Sequence, residues 1–152
     1  MHLLSRYQAG GRIERWEEWE FQLEQGDFAD YQSDIMGFRI CSDSLRQILD
    51  AVAGPQDVIQ WLPVWVTHEA GDRRRYWVLH FPEPPDLLDL ARTERSGPSI
   101  VRAALDSRKA EMHEVMPSPD GSSYCFVISS RVRATLEKAR CTGMLFRVLP
   151  AS

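Results

Sequence analysis

The run FRICSDSLRQILDAV at residues 38–52 decides the fold, because it predicts a short strand followed at once by a capped helix. Ser42 is a typical N-cap residue, whose hydroxyl can accept a hydrogen bond from a free amide of the first helical turn. Gly54-Pro55 then ends the helix. One apolar stripe with helical spacing is formed by Leu45, Ile48, Leu49 and Val52.

Two strand-like runs follow this helix. They are VIQWLPVWVTH at residues 58–68 and YWVLHF at residues 76–81, and a polar turn at residues 69–72 joins them. Both runs carry apolar residues on both faces, which is typical of strands inside a sheet that is covered on both sides. Pro63 lacks the amide N–H that a central strand needs, so we expect a bulge or a locally unpaired edge there.

A shorter version of the strand–helix unit returns near the C-terminus. Residues 124–128 predict a strand, and Ser129 is placed to cap a second helix. The apolar stripe of this helix consists of Val132, Leu136 and Ala139, and residues 144–149 predict a last strand. The sequence therefore predicts one α+β domain over residues 1–152, with a mixed or antiparallel sheet and two short amphipathic helices, each following a strand.

The connecting segments show weaker patterns. Residues 30–34 are polar and predict a connection, and residues 86–90 fit a short strand. We expect a mobile loop at residues 92–99, which are polar and contain Gly97-Pro98. The pattern at residues 100–116 leaves a helical turn and a strand open, with a strand indicated at residues 112–116.

An acidic and aromatic stretch precedes this core. From Trp19 onward apolar residues alternate with acidic or amide residues, which favours a half-buried strand, although Ile13, Trp16 and Leu23 also fit a helix. A solvated sheet face would explain the charges. The functional hypothesis is a docking surface for a basic protein, anchored by tryptophan. Its candidate residues are Trp16, Glu17, Glu18, Trp19, Glu20 and Glu24.

Composition and charge narrow the class of protein. A net charge of -4 and a pI of about 5.6 argue against binding to nucleic acid or to anionic membranes. The three cysteines form no CxxC pair, which favours a reducing compartment. The residues Met1–Arg6 show no apolar signal-peptide core, and no apolar run reaches membrane-spanning length. These features predict a cytoplasmic protein.

No catalytic or metal-binding motif emerges from the sequence. The four histidines are too dispersed to predict a zinc site, since three or four ligands would have to meet. Ser42, Ser129 and Ser130 lie at helix starts, where capping explains them. The sequence contains neither a GxSxG turn nor a glycine-rich phosphate loop. We therefore predict no enzymatic activity, no metal and no cofactor, and we interpret Arg73-Arg74-Arg75 as a solvated turn.

The order of the motifs resembles a known family. The residues that carry the resemblance are DYQ (30–32), GF (37–38), CSDSL (41–45), QWLPV (60–64), YWVL (76–79), LLD (87–89), VISSRV (127–132) and TGMLF (142–146). They are similar to the eleventh numbered immunity-protein family of bacterial polymorphic toxin systems, over roughly residues 28–149. The resemblance implies an intracellular protein that binds and neutralises a cognate toxin, without enzyme activity or cofactor. A small regulatory or scaffold module that binds another cellular protein is the alternative.

Overall fold

The computed structural model describes residues 11–23, 26–32, 37–69, 71–149 and 151. Five strands form its central sheet: β1 (Glu20–Leu23), β2 (Tyr31–Gln32), β3 (Ile40–Ser42), β4 (Gln60–His68) and β5 (Arg73–His80). They lie in the order β1-β4-β5-β3-β2. The β1–β4 pair is parallel and the other pairs are antiparallel, so the sheet is mixed. The predicted α+β fold is confirmed.

Three helices and two small hairpin-like sheets surround the central sheet. The helices are α1 (Asp43–Val52), α2 (Ser107–Ala110) and α3 (Ser130–Lys138). The first small sheet pairs β6 (Glu94–Ser96) with β7 (Ser99–Arg102), and the second pairs β8 (Val115–Pro117) with β9 (Phe126–Ile128). Helices α1 and α3 each follow a strand, as predicted, whereas the single turn α2 was not predicted.

Both predicted helix caps are confirmed. The Ser42 hydroxyl accepts a hydrogen bond from the Leu45 amide at 3.1 Å, and the Ser129 hydroxyl accepts one from the Val132 amide at 3.2 Å. The buried residues of the two stripes are Leu45, Leu49, Val132 and Leu136. The prediction was wrong for Ala139, which is exposed because it follows the last helical turn as the C-cap residue.

Each face of the central sheet packs against an apolar core, as the pattern of β4 and β5 predicts. The first core contains Phe21, Leu23, Phe38, Ile40, Leu62, Val64, Val66, Tyr76 and Val78. The second core contains Tyr31, Cys41, Leu45, Leu49, Leu79, Phe81, Val115, Val132 and Leu136. Helices α1 and α3 therefore cover the second face, where Cys41 and Leu79 lie.

Pro63 is accommodated without a bulge. The register between β4 and β5 is continuous across Pro63, which faces Trp77. On its other side β4 pairs with β1 only from Trp65 onward. The carbonyl of Pro63 points to that side, where it accepts a hydrogen bond from the Trp16 indole at 2.7 Å. Because the N–H and C=O of one strand residue point the same way, the missing N–H falls where no neighbouring strand needs it. The expected unpaired edge is confirmed and the bulge is not.

Two of the predicted connections form strands instead. Residues 31 and 32 of the expected polar connection form the edge strand β2, and both are buried. The Tyr31 ring packs in the second core. Residues 33 and 34 of this connection lie outside the described residues. The expected mobile loop at residues 92–99 is largely the β6–β7 hairpin, which turns at Gly97 with φ 60°.

In the remaining segments, the predicted strands are shorter than expected or absent. The expected strand at residues 86–90 reduces to one isolated bridge between Leu88 and Leu105. Residues 100–116 contain parts of strands β7 and β8 and the one-turn helix α2. The predicted last strand at residues 144–149 is absent, and these described residues are irregular. The Thr142 carbonyl accepts a hydrogen bond from the Tyr31 amide, so the chain lies beside the edge strand β2 without forming a ladder with it.

Asp30 joins three separate parts of the chain. Its carboxylate accepts hydrogen bonds from the Ser42 hydroxyl at 2.7 Å and from the Thr142 amide at 2.9 Å. Partial burial acts to raise the pKa of Asp30, but the hydrogen bonds from Thr142 and Ser42 outweigh it and hold the pKa below its ordinary 3.8. Folding therefore favours the ionised form of the Asp30 carboxyl group.

We predict that the stabilisation supplied by Asp30 depends on pH. Because the pKa is lower in the folded state, the stabilisation is fully present above pH 3.8 and is lost as the pH falls through the folded-state value. The Asp30→Asn variant should be less stable than the parent protein near neutral pH, and the difference should shrink in acid. Urea unfolding at about pH 7 and about pH 3 measures both free energies of unfolding. A difference that does not change with pH would contradict this prediction.

Candidate protein-binding surface

Part of the second face of the sheet extends beyond the helices that cover it. Strand β4 contributes Trp65 to this area and β5 contributes Arg73, Arg75 and Trp77, which the register places next to one another. Trp65 and Trp77 are half-buried, whereas the side chains of Arg73 and Arg75 are 48% and 31% exposed. We call this area the open face. It consists of Glu18, Glu20, Asp43, Arg46, Trp65, Arg73, Arg75 and Trp77.

Trp65 is the centre of the open face. The guanidinium of Arg73 lies 3.9 Å from the ring centroid of Trp65, and that of Arg75 lies 4.1 Å from it. Each guanidinium also meets a carboxylate, since Arg73 pairs with Glu20 at 3.3 Å and Arg75 with Glu18 at 2.9 Å. The indole is therefore held between two cations that acidic side chains position from the neighbouring segment.

Trp77 is held in the same way by the first turn of α1. Its indole N–H donates a hydrogen bond to the Asp43 carboxylate at 3.2 Å, and the guanidinium of Arg46 lies 4.6 Å from the ring centroid. Arg46 and Asp43 form an ion pair at 2.9 Å. The hydrogen bond from Arg46 is the main reason that the pKa of Asp43 is below its ordinary value, with smaller contributions from Trp77 and Gln47.

The structure distributes the candidate residues of the acidic stretch over different environments. Trp16 is half-buried against the first core, and its indole bonds to Pro63, so it supports the fold. Glu17 is exposed, and its carbonyl accepts a hydrogen bond from the Trp19 amide at 2.8 Å. The Trp19 side chain is 42% exposed just before β1 begins. Glu24 lies outside the described residues.

Glu18 and Glu20 belong to the open face rather than to a separate acidic surface. Both carboxylates face arginines of β5, so their charges are balanced within the chain. Sequence reasoning missed this, because it treated the three arginines as a solvated turn. Arg73 and Arg75 are in fact residues of β5, where Arg75 stands directly opposite Trp65. The start of β5, RRRYWV, shows no alternation of arginine with apolar residues. Only the period of two along a strand, counted back from Trp77, could have placed Arg73 and Arg75 on one face.

The histidines and serines with polar contacts serve the fold. His68 and His80 each bond to a backbone carbonyl, of Gly26 at 2.9 Å and Gly11 at 2.7 Å. Burial lowers the pKa of His80, which favours the neutral imidazole. Ser129 caps α3 and donates a hydrogen bond to the Glu114 carboxylate. Within the part of the chain that the structure describes, no three metal-ligating side chains come together.

Comparison with known proteins identifies no family for this chain. The chain matches no protein-family model, and no curated protein matches it. Among the described residues, none of the helices combines the length and the apolar character needed to cross a bilayer. Among the described residues, the open face holds three contacts between an arginine and a tryptophan, of Arg46 with Trp77 and of Arg73 and Arg75 with Trp65, and this composition suits contact with another protein.

Proposed function

We propose that this protein is a bacterial immunity protein, which neutralises a cognate toxin in the cytoplasm by binding it directly through the open face. The resemblance of the motifs to the immunity-protein family supplies the class of partner. The observation that carries the proposal is the contact of Trp65 with both Arg73 and Arg75, at a position that belongs to neither apolar core of the described residues. The proposal involves no cofactor and no catalysis.

The composition of the open face supports protein binding. Tryptophan and arginine are the residue types that most often dominate the binding energy of protein interfaces. Stacking against two guanidinium groups restricts the Trp65 ring before any partner arrives, so little conformational entropy remains to be lost on binding. The ion pairs with Glu18 and Glu20 have half-exposed carboxylates, as is typical of the rim of an interface.

The negative net charge of the protein favours the approach of a basic toxin from a distance, whereas the open face itself is mixed in charge. The protein carries a net charge of -4, which would steer a basic partner toward it. On the open face itself three carboxylates, of Glu18, Glu20 and Asp43, stand beside three arginines. The contact surface of the toxin is therefore expected to be mixed in charge and to offer an apolar or aromatic group to Trp65.

The test is the affinity of the protein for the product of the adjacent toxin gene. The Trp65→Ala variant removes the ring that both guanidinium groups contact, and truncation of an interface tryptophan costs about 2 kcal/mol or more, which is about 30-fold in affinity. Trp65→Phe keeps an aromatic ring and should lose less. Calorimetric titration of the purified toxin measures each affinity, and circular dichroism establishes that each variant is folded.

Tyr124→Ala is the matched control, because Tyr124 is an aromatic residue outside the open face and is 55% exposed. It should bind the toxin as tightly as the parent protein does. Equal losses in Trp65→Ala and Tyr124→Ala would remove the open face from the proposal. The failure of the parent protein to associate with the toxin, or the absence of a toxin gene from its neighbourhood, would favour the regulatory or scaffold module instead.

A further inference from the structure

The C-terminal part of the chain has a charge opposite to that of the rest. Residues 1–120 contain 13 basic and 21 acidic residues, whereas residues 121–152 contain five basic residues and one acidic residue. Arg131 and Arg133 of α3 form ion pairs with carboxylates. The other three cations are exposed and, within the described residues, have no ion-pair partner: Lys138, Arg140 and Arg147.

These cations lie close in sequence to an apolar segment, residues 144–149, which itself contains Arg147. Met144 and Phe146 pack against the second core, and Phe146 lies beneath the guanidinium of Arg133, 5.1 Å from its ring centroid. Leu145 and Val148 are 82% and 88% exposed, the largest values of any large apolar side chains in the described residues. The segment therefore folds back along α3 and presents apolar and cationic groups together.

The backbone groups of residues 144–149 also lack hydrogen-bond partners within the described part of the chain. The sequence MLFRVL consists mostly of strand-forming residues. Within the described residues, none of the backbone N–H or C=O groups of residues 144–149 forms a hydrogen bond. A strand-forming segment with free backbone groups is suited to pairing with a strand of another chain.

We infer that residues 144–149, together with the cations of α3 and its C-terminal turn, bind an extended acidic and apolar strand of a partner protein. Backbone groups of the segment would pair with the added strand. Because side chains alternate along an extended chain, Leu145 and Val148 would lie on opposite faces, and each would contact an apolar side chain of the added strand. The acidic side chains of the added strand would form ion pairs with Arg140 and Arg147. This surface is separate from the open face, and the inference does not depend on the proposed function.

A second copy of the chain fits this surface poorly. Pairing of two copies of the segment would bring the cationic groups around Arg147 together. Docking onto the acidic side of β1 would join opposite ends of the sheet, because β1 is one edge strand and Thr142 lies beside β2, the other edge strand. The carboxylates there, of Glu18 and Glu20, are already paired with arginines of β5, so they offer little free charge to the cations of a second copy.

A lipid surface and a nucleic acid fit this site less well than a strand does. Insertion into lipid would leave the free backbone groups of the segment without partners, which costs several kcal/mol for each group. A nucleic acid would meet the excess negative charge of residues 1–120. A protein strand satisfies both the backbone groups and the charges.

The test uses the full chain and a capped hexapeptide composed of valine and glutamate. Amide hydrogen exchange of residues 144–149 should slow by about tenfold or more at saturation, because pairing protects the backbone. The matching peptide with lysine in place of glutamate should bind at least about tenfold more weakly, since attraction becomes repulsion. The Arg147→Glu variant should lose a similar factor in affinity for the glutamate peptide.

Arg95→Glu is the control variant, because it makes the same charge change at an exposed site on β6. It should bind the glutamate peptide as the parent protein does. The inference is overturned if the peptide fails to bind, if both peptides bind equally well, or if the exchange of residues 144–149 is unchanged. It is also overturned if anionic phospholipid vesicles or a single-stranded oligonucleotide protect this segment more than the peptide does.

Discussion

Replacement of Asp57 with alanine is expected to lower the free energy of unfolding by about 3 to 5 kcal/mol, because several buried hydrogen-bond donors lose one shared acceptor. The Asp57 carboxylate is fully buried. One oxygen contacts the His113 ring at 2.8 Å. The other accepts hydrogen bonds from the amides of Gly54, Glu114 and Val115, at 2.6, 3.0 and 3.1 Å. This single side chain therefore joins the end of α1 to the start of β8.

The large effect has a simple physical cause. Alanine would leave three amide groups and one imidazole without their acceptor, and each unsatisfied buried group costs about 1 to 3 kcal/mol. Asp57→Asn keeps one acceptor oxygen and nearly the same volume, so we expect it to lose about half as much. Chemical denaturation in urea measures the three free energies of unfolding.

Glu83→Ala provides the control for this prediction, because Glu83 is exposed and forms no ion pair among the described residues. Its substitution should change the free energy of unfolding by no more than about 0.5 kcal/mol. If Asp57→Ala lost less than about 1 kcal/mol, water would be replacing the carboxylate at the three amides, and the junction would not depend on Asp57.

The Gly143→Ala variant should lose about 2 to 4 kcal/mol, from a left-handed backbone and a steric clash together. Gly143 has φ 78°, which favours glycine. A Cβ atom at this position would collide with the carbonyl oxygen of Tyr31 and would lie 2.9 Å from the Cβ atom of Ala29. Tyr31 is the first residue of β2 and Ala29 lies just before it, so the clash would push the C-terminal segment away from the sheet.

Gly121→Ala separates the two causes. Gly121 has nearly the same backbone conformation, with φ 82°, but a Cβ atom there would meet nothing within 4 Å. It should therefore show the backbone cost alone, about 1 kcal/mol. Thermal and urea unfolding of the two variants give the difference between them. Equal losses would mean that the contact between Gly143 and Tyr31 does not constrain the chain.

Local patterns were sufficient where the interactions are themselves local. Ser42 and Ser129 were identified as caps because a cap acts within one helical turn, and the stripes of α1 and α3 follow from helical spacing. The β4–β5 hairpin was equally visible, since two alternating runs flank one short turn. The strand at residues 144–149 was the main failure. Its pattern is typical of a strand, but a ladder also needs a paired neighbour, and within the described residues no strand pairs with this segment.

The candidate site depended on pairings that no local pattern contains. The sequence showed acidic residues at Glu18 and Glu20 and a basic triplet at residues 73–75, but gave them separate roles. They meet because β1 lies parallel to β4 and β4 pairs with β5, which brings Glu18 to Arg75 across 57 residues of chain. Docking through the acidic residues and tryptophans of this stretch remains a prediction, and the structure adds that Glu18 and Glu20 are paired with arginines of β5.

The sequence by itself determined the α+β class, the two capped helices with their buried stripes apart from Ala139, and the hairpin. Only the tertiary structure decided which strands are neighbours, where Pro63 finds its unpaired edge, and which carboxylates face which arginines. It also decided that Asp57 and Gly143 hold distant segments together. Periodicity records which side of an element is apolar, whereas the partner of that side depends on the order and register of strands far apart in the chain.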